Sequence, residues 1–195
     1  MGIAQIISVS LSHLKTQIIK LFCKKVIIGR GSLIYFRSKI YNYSDSEEII
    51  IGSNTMIGCT KRGYHAGMPF YTTVLSDGKN SKVIIGDCCR INGAYIHAKS
   101  SIQIGNNCVI ASGVNIIDSN AHVVHSSNRT IGTDIPKPII IGNNVWIGLN
   151  AIILKGTVLG DNCVVAAGTT VKGNYISNSI ISGQIATSEP IKVLD

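Results

Sequence analysis

Aromatic side chains are scarce in this sequence, at 6% of residues, although 45% are hydrophobic. A broad core packed around large rings is therefore excluded, and a narrow interior filled by isoleucine and valine is expected. Charge is also sparse, at 14% of 195 residues. So little charge leaves outer faces that other subunits are expected to cover. No CxxC pair occurs among the six cysteines, which argues against a zinc knuckle or a dithiol redox motif. Nothing resembles a nucleic-acid-binding module. No cleavable signal pattern and no uninterrupted apolar span of membrane length is present, so a reducing cytoplasm is the expected compartment.

What is present is a period. From Ile141 to Lys172 an aliphatic residue recurs at 141, 147, 153, 159, 165 and 171. Gly142, Gly148, Gly160 and Ala166 follow four of them, and Val145, Ala151, Thr157, Cys163 and Thr169 stand at the fourth place after an aliphatic. Neither the strand period of two nor the helical 3.6 accounts for this, whereas a period of six does. Its physical meaning is a coil of parallel β-structure that turns a corner every six residues. Each flat face sends one aliphatic inward, the next residue lets backbones approach, and the small residue fills what interior remains. Three faces close a rung of about 18 residues, and rungs stack at about 4.8 Å. The cysteines fit this scheme. Cys89, Cys108 and Cys163 fall in the small interior slot, and Cys88 points the opposite way from Cys89.

The rest of the chain is read against this period. Residues 1–25 form an amphipathic helix, with Ile3, Ile7, Leu11, Leu14, Ile18 and Leu21 on one stripe and Lys15, Lys20, Lys24 and Lys25 making it basic. It is expected to pack on the first coils or on a neighbouring subunit, with peripheral membrane contact as the alternative. The β-coil domain occupies 26–176, interrupted by loops at 59–82 and 117–138, and a tail runs over 177–195. The first interruption could also be a rung of poorly matched sequence. Ile91 and Ile104 lie thirteen positions apart where twelve keep the phase, so a bulge or extra turn is expected near His97. The formal net charge of +8 suits either solvated lysine faces or attraction of a polyanion.

Chemistry enters where the period breaks. The run DSNAH places Asp118 four residues before His122 in the second loop. A neutral imidazole with a pKa near neutrality can take a proton from an attacking hydroxyl or amine, provided a partner fixes its tautomer. Asp118 is expected to be that partner. No serine or cysteine stands out as a covalent nucleophile, which favours direct transfer.

The repeat resembles that of the hexapeptide-repeat acyltransferases, whose fold is a left-handed parallel β-helix. DSNAH followed by PIIIGNNVWIGLNAIILKGTVLGDNCVVAAGTTVKG is similar to the maltose and galactoside O-acetyltransferase branch, and closer to acetyltransferases of capsule, O-antigen or exopolysaccharide sugars. The resemblance covers roughly residues 85–190. It implies His122 as general base, although Val123 stands where the family has proline. It implies acetyl-CoA as donor, with no metal, lying along Trp146, Gly148, Leu149 and Ala167, and Lys172 near the nucleotide end. It also implies a homotrimer with sites between subunits, and a coil amide near Gly148 as oxyanion donor. Lys172 is displaced by one position from the family pattern, and the closing GxPAKVI motif appears only as SGQIATSEPIKVL. His65, Asn92, Asn128 and Arg129 are candidates for reading a sugar acceptor. An amino-sugar N-acetyltransferase remains an alternative. So does a γ-carbonic-anhydrase-like zinc enzyme using His97, His122 and His125, whose spacing does not match that family. A purely structural β-helix is the third rival.

Overall fold

The computed structural model describes residues 3–45, 48–58, 64–123, 128 and 130–183. Among the described residues one helix, α1 (Ile3–Phe22), precedes twenty short strands. All pairings are parallel and fall into three sheets, each made of every third strand. Sheet A contains β1 (Val26–Ile28), β4 (Ile49–Ile51), β7 (Lys82–Ile85), β10 (Ser101–Ile104), β13 (Ile139–Ile141), β16 (Val158–Leu159) and β19 (Asn174–Tyr175). Sheet B contains β2 (Leu33–Ile34), β5 (Met56–Ile57), β8 (Arg90–Ile91), β11 (Val109–Ile110), β14 (Trp146–Ile147), β17 (Val164–Val165) and β20 (Ile180–Ile181). Sheet C contains β3 (Lys39–Asn42), β6 (Thr73–Ser76), β9 (Tyr95–Ala98), β12 (Asn115–Ile117), β15 (Ile152–Leu154) and β18 (Thr170–Val171). This is the left-handed β-helix of hexapeptide repeats.

Stacking follows the period. Ile147 pairs in register with Ile110 below and Val165 above, and Ile153 lies between Ile116 and Val171. The small slot is filled as expected, with Val145, Ala151, Thr157, Cys163 and Thr169 all buried. Gly148 shows why the next position must be small: a Cβ there would lie 2.7 Å from the amide nitrogen of Ala167 in the coil above. The turn between sheets A and B adopts left-handed backbone at Asn54, Asn107, Asn144, Asn162 and Asn178. Asparagine tolerates that conformation, and its side chain joins neighbouring coils, as in Asn144 Nδ2 to Asn162 Oδ1 at 2.9 Å and Asn162 Nδ2 to Asn178 Oδ1 at 3.0 Å.

Two expected boundaries move. Residues 73–76 rejoin the coil as β6, so only the early part of 59–82 is an excursion; the irregular composition hid a rung that pairs with β3 and β9. At the other end β20 pairs with β17, which carries the coil past residue 176 to Ile181. Strand β12 includes Ile117, which the expected loop of 117–138 took in, and β13 begins at Ile139.

The helix docks by an unexpected face. Ser12 and Thr16 are its buried residues, while the stripe Ile3, Ile7, Leu11, Leu14, Ile18 and Leu21 points away, with exposures from 37% at Leu11 to 79% at Ile3. The reason is hydrogen bonding. Strand β2 is the first of sheet B and has no coil beneath it. Thr16 Oγ1 accepts from Ile34 N at 2.9 Å, and Ser12 Oγ accepts from Phe36 N at 2.8 Å. The ammonium of Lys15 donates to the carbonyls of Phe36 and Ser38, and that of Lys20 to Gly29 O at 3.1 Å. Burial beneath the helix lowers the pKa of Lys15. Exposed strand edges template aggregation, and here side-chain hydroxyls and ammoniums close the edge.

Candidate active site at the loop root

The loop that carries His122 leaves the coil at the corner between sheets C and A, and the phase slip near His97 explains how it is held. From His97 to Gln103 the chain advances six positions, whereas Leu154 and Val158, in register with them two coils on, are four apart. The two extra residues make a turn at Lys99 and Ser100. A compensating residue is missing before Tyr95, where Gly93 takes a φ of 60°. Asp118 caps the extra turn: its Oδ1 accepts from Lys99 N at 2.8 Å and its Oδ2 from Ser100 N at 2.7 Å. The carboxylate is fully buried.

Asp118 therefore does not partner His122 as expected. Both oxygens face backbone amides, and among the described residues no ion pair joins the two side chains. A buried carboxylate takes the strongest donors in reach, and two amides converging on one turn hold it better than an exposed imidazole. His122 lies exposed on the loop, its amide donating to Asn120 O at 2.8 Å across a tight turn that has Ala121 at φ 64°.

A second clamp was not legible in the sequence. Asn120 N donates to Asp134 Oδ2 at 2.8 Å, and Lys155 Nζ contacts both oxygens of Asp134 at 2.6 Å. Lys137 N donates to Asp118 O at 2.9 Å, which closes the loop at its base. The hydrogen bond from Lys155 and that from the Asn120 amide lower the pKa of Asp134. A depressed carboxylate pKa keeps this clamp in force above the ordinary carboxylate range and releases it only as pH falls through the lowered value. The available signal was Lys155 itself, a half-buried lysine within an otherwise apolar repeat.

Beside the loop root lies a group the sequence left unassigned. His97 Nε2 is 2.8 Å from Asp77 Oδ1, and Lys99 Nζ is 3.5 Å from Asp77 Oδ2. The Tyr95 ring meets the His97 ring edge-on at 5.8 Å. Burial, and then the Asp77 charge, raise the pKa of the Tyr95 hydroxyl. His97, taken as one of three zinc ligands in the rival reading, is engaged with Asp77, and His125 lies outside the described residues.

The other expected site residues gather elsewhere. Trp146 is 55% exposed on the outer face of sheet B, in one row with Val109 and Val164. Gly148, Leu149 and Ala167 follow at the corner between sheets B and C. Gly148 N is already donating to Val165 O at 2.8 Å, so it is not the oxyanion donor. Asn92 lies on that same corner, after β8. His65 is exposed in the excursion that packs there, whose Gly67 carbonyl accepts from Ser112 Oγ at 2.7 Å. Lys172 is exposed on the C–A corner after β18. Arg129 lies outside the described residues, and Asn128 is exposed. The expected site residues thus fall into two groups, rooted at opposite edges of sheet C.

The cysteines sort as the repeat predicted. Cys89, Cys108 and Cys163 are buried, and Cys23 and Cys88 are exposed. The neighbouring Cys108 thiol, together with burial, pushes the pKa of Cys89 up. A thiol reagent is expected to modify Cys23 and Cys88 in the folded protein and to reach these three only on unfolding. Peptide mass mapping checks this, and rapid native labelling of Cys108 would contradict the stacking.

Comparison with known proteins agrees with this architecture. Residues 138–172 match the family model described as the hexapeptide repeat of succinyl-transferase. The chain is 39% identical over 83 residues to galactoside O-acetyltransferase of Escherichia coli, covering 43% of this chain and 40% of that protein. It is 39% identical over 61 residues to polysialic acid O-acetyltransferase of Neisseria meningitidis, covering 31% of this chain and 28% of that one. The chain thus spans less than half the length of these relatives. Among solved structures, the N-acyltransferase AntD from Bacillus cereus, in complex with dTDP and 3-hydroxybutyryl-CoA, shares the fold with a TM-score of 0.64 at 20% identity, covering 86% of this chain and 83% of that one. Repeat, coil and relatives agree: the chain folds as a β-helix of hexapeptide repeats and is similar over part of its length to O-acetyltransferases.

Proposed function

We propose that the protein transfers an acetyl group from acetyl-CoA to a sugar hydroxyl, in the building of a surface polysaccharide such as capsule, O-antigen or exopolysaccharide. The observation that carries this reading is the doubly clamped loop, which carries an exposed histidine and whose root at Asp118 adjoins the Asp77–His97–Lys99 group. The clamps fix the loop backbone on either side of this imidazole. Relatives named for galactoside and polysialic acid O-acetylation support the acceptor class. His122 takes the hydroxyl proton as the oxygen attacks the thioester carbonyl. The C–S bond then breaks, and the CoA thiolate receives the proton from the imidazolium.

The two groups of site residues favour a homotrimer. Sheet C spans about 10 Å of strand between its corners, so each half faces a different neighbour. A copy placed against sheet B would bring its His122 loop to the Trp146 row of the next. In this arrangement the pantetheine follows Trp146, Leu149 and Ala167, and Lys172 with its partner copy meets the nucleotide end. Asp77, His97 and Lys99 supply charged and hydrogen-bonding groups for the acceptor, alongside the expected Asn92, His65 and Arg129. Free cysteines and acetyl-CoA as donor are consistent with a cytoplasmic setting.

The test is mass spectrometry of candidate glycans incubated with acetyl-CoA and the protein. A gain of one acetyl group that hydroxylamine removes identifies an ester on oxygen. A hydroxylamine-resistant gain would reassign the acceptor to an amine, and no gain across neutral, acidic and amino-sugar glycans would overturn the reading.

A further inference from the structure

The apolar stripe of α1 is left without a partner in the fold. Ile3, Ile6, Ile7, Leu14, Leu21 and Phe22 are all between 48% and 79% exposed. At about 100° per residue the stripe lies on the far side of the helix from Ser12 and Thr16. The helix therefore uses its polar face for the protein and presents its apolar face outward, the reverse of a helix packed on a core.

Charge says what covers it. The first 44 residues contain Lys15, Lys20, Lys24, Lys25, Arg30, Arg37 and Lys39 and no aspartate or glutamate. With 18 basic and 10 acidic residues in all, the remaining chain holds eleven basic against ten acidic and is close to neutral. The net charge of +8 is thus concentrated at the helix-capped end of the coil. The ammoniums of Lys15, Lys20 and Lys25 rest on carbonyls of the first coil, and among the described residues none of them forms an ion pair. A shallow cleft at the end of the helix, lined by Lys20, Lys24 and the segment Val26 to Ile28, repeats the combination of cation and hydrocarbon. No helix among the described residues is long and apolar enough to cross a membrane.

We propose that this end of the molecule docks on an anionic lipid surface, with α1 lying in the plane of the interface. The aliphatic stripe enters the acyl boundary while Lys20 and Lys24 stay at headgroup level. A second copy of the chain fits less well, because two such ends would bring like charge together. Binding by one short helix is weak, and it falls as salt screens the basic residues.

Vesicle co-sedimentation of the full chain tests this, using phosphatidylcholine vesicles with and without about one third phosphatidylserine. The expected result is at least about tenfold tighter binding to the anionic vesicles, lost in high salt. Ile7→Asp with Leu14→Asp is expected to lower that binding at least about tenfold, with the melting temperature and oligomer mass unchanged. Equal binding of the variant and the parent chain overturns the proposal, as does absence of binding to either vesicle. A change in oligomer mass in the variant also overturns it, since the stripe would then be covered by a second copy. Lys20→Glu with Lys24→Glu provides a second readout, expected to remove the preference for anionic lipid.

Discussion

Replacing His122 with alanine is expected to lower acetyl transfer by about 10²- to 10⁴-fold, the usual contribution of a positioned general base. The melting temperature should not change. His122 is exposed and its backbone turn is made by the amide and the Asn120 carbonyl, so the substitution removes no core contact. The loss should appear in kcat more than in KM for acetyl-CoA, because in the proposed mechanism the imidazole acts on the acceptor proton while the residues proposed to hold the donor lie on another corner of the coil. Turnover near that of the parent chain, measured with an acceptor identified by mass spectrometry, would remove His122 from the mechanism. In that case His97 becomes the base to test. It is already paired with Asp77 at 2.8 Å, the kind of carboxylate–imidazole contact expected at Asp118 and His122 but formed instead in the preceding coils of the same sheet.

Asp118→Ala is expected to act through stability. Its carboxylate accepts two amides at 2.7 and 2.8 Å from a fully buried position. Hydrogen bonds to a charged group contribute about 1.5–3 kcal/mol each, and the Lys99 and Ser100 amides would be left unsatisfied. A loss of about 3 kcal/mol is expected, which for a chain of this size lowers the melting temperature by roughly 6–12 °C. Activity should fall with it, because Asp118 is the loop root, its main-chain carbonyl accepting from Lys137 N, and loosening the Lys99–Ser100 turn beneath it shifts that root. Asp118→Asn should fall between, since one amide oxygen remains to accept. The outcome separates two roles. A dyad partner of His122 would lose turnover on conversion to asparagine while the melting temperature held. A positioning residue loses both together, and thermal unfolding followed by circular dichroism decides between them.

Asp118 was recognisable as an unusual residue, since a carboxylate ends a run of aliphatic strand positions just where the period stops. What it binds could not be read, because its partners are amides made available by a two-residue insertion nineteen positions upstream. The insertion itself was visible as a thirteen-residue interval, but an interval does not say which corner takes the extra residues. Asp134 and Lys155 were missed for a related reason: their contact crosses from the loop to the next coil, and nothing in their spacing marks it.

The helix shows the same limit from another side. Its amphipathic spacing was plain, and such a stripe ordinarily faces the core. Here the nearest surface is a strand edge with unpaired amides and carbonyls rather than a hydrophobic face. Hydroxyls at Ser12 and Thr16 satisfy that edge, and leucine at those positions could not.

The sequence by itself determined the coil. A period of six, with one aliphatic and one small residue per face, admits a single way of burying its side chains, because each coil stacks on a copy of itself and errors in phase would expose every isoleucine at once. Tertiary structure alone decided which face of the helix turns outward, what Asp118 caps, and that Asp77 and His97 meet. Those outcomes depend on corners and edges where no neighbouring copy repeats the contact. Local spacing there carries no information about which polar group will be within reach.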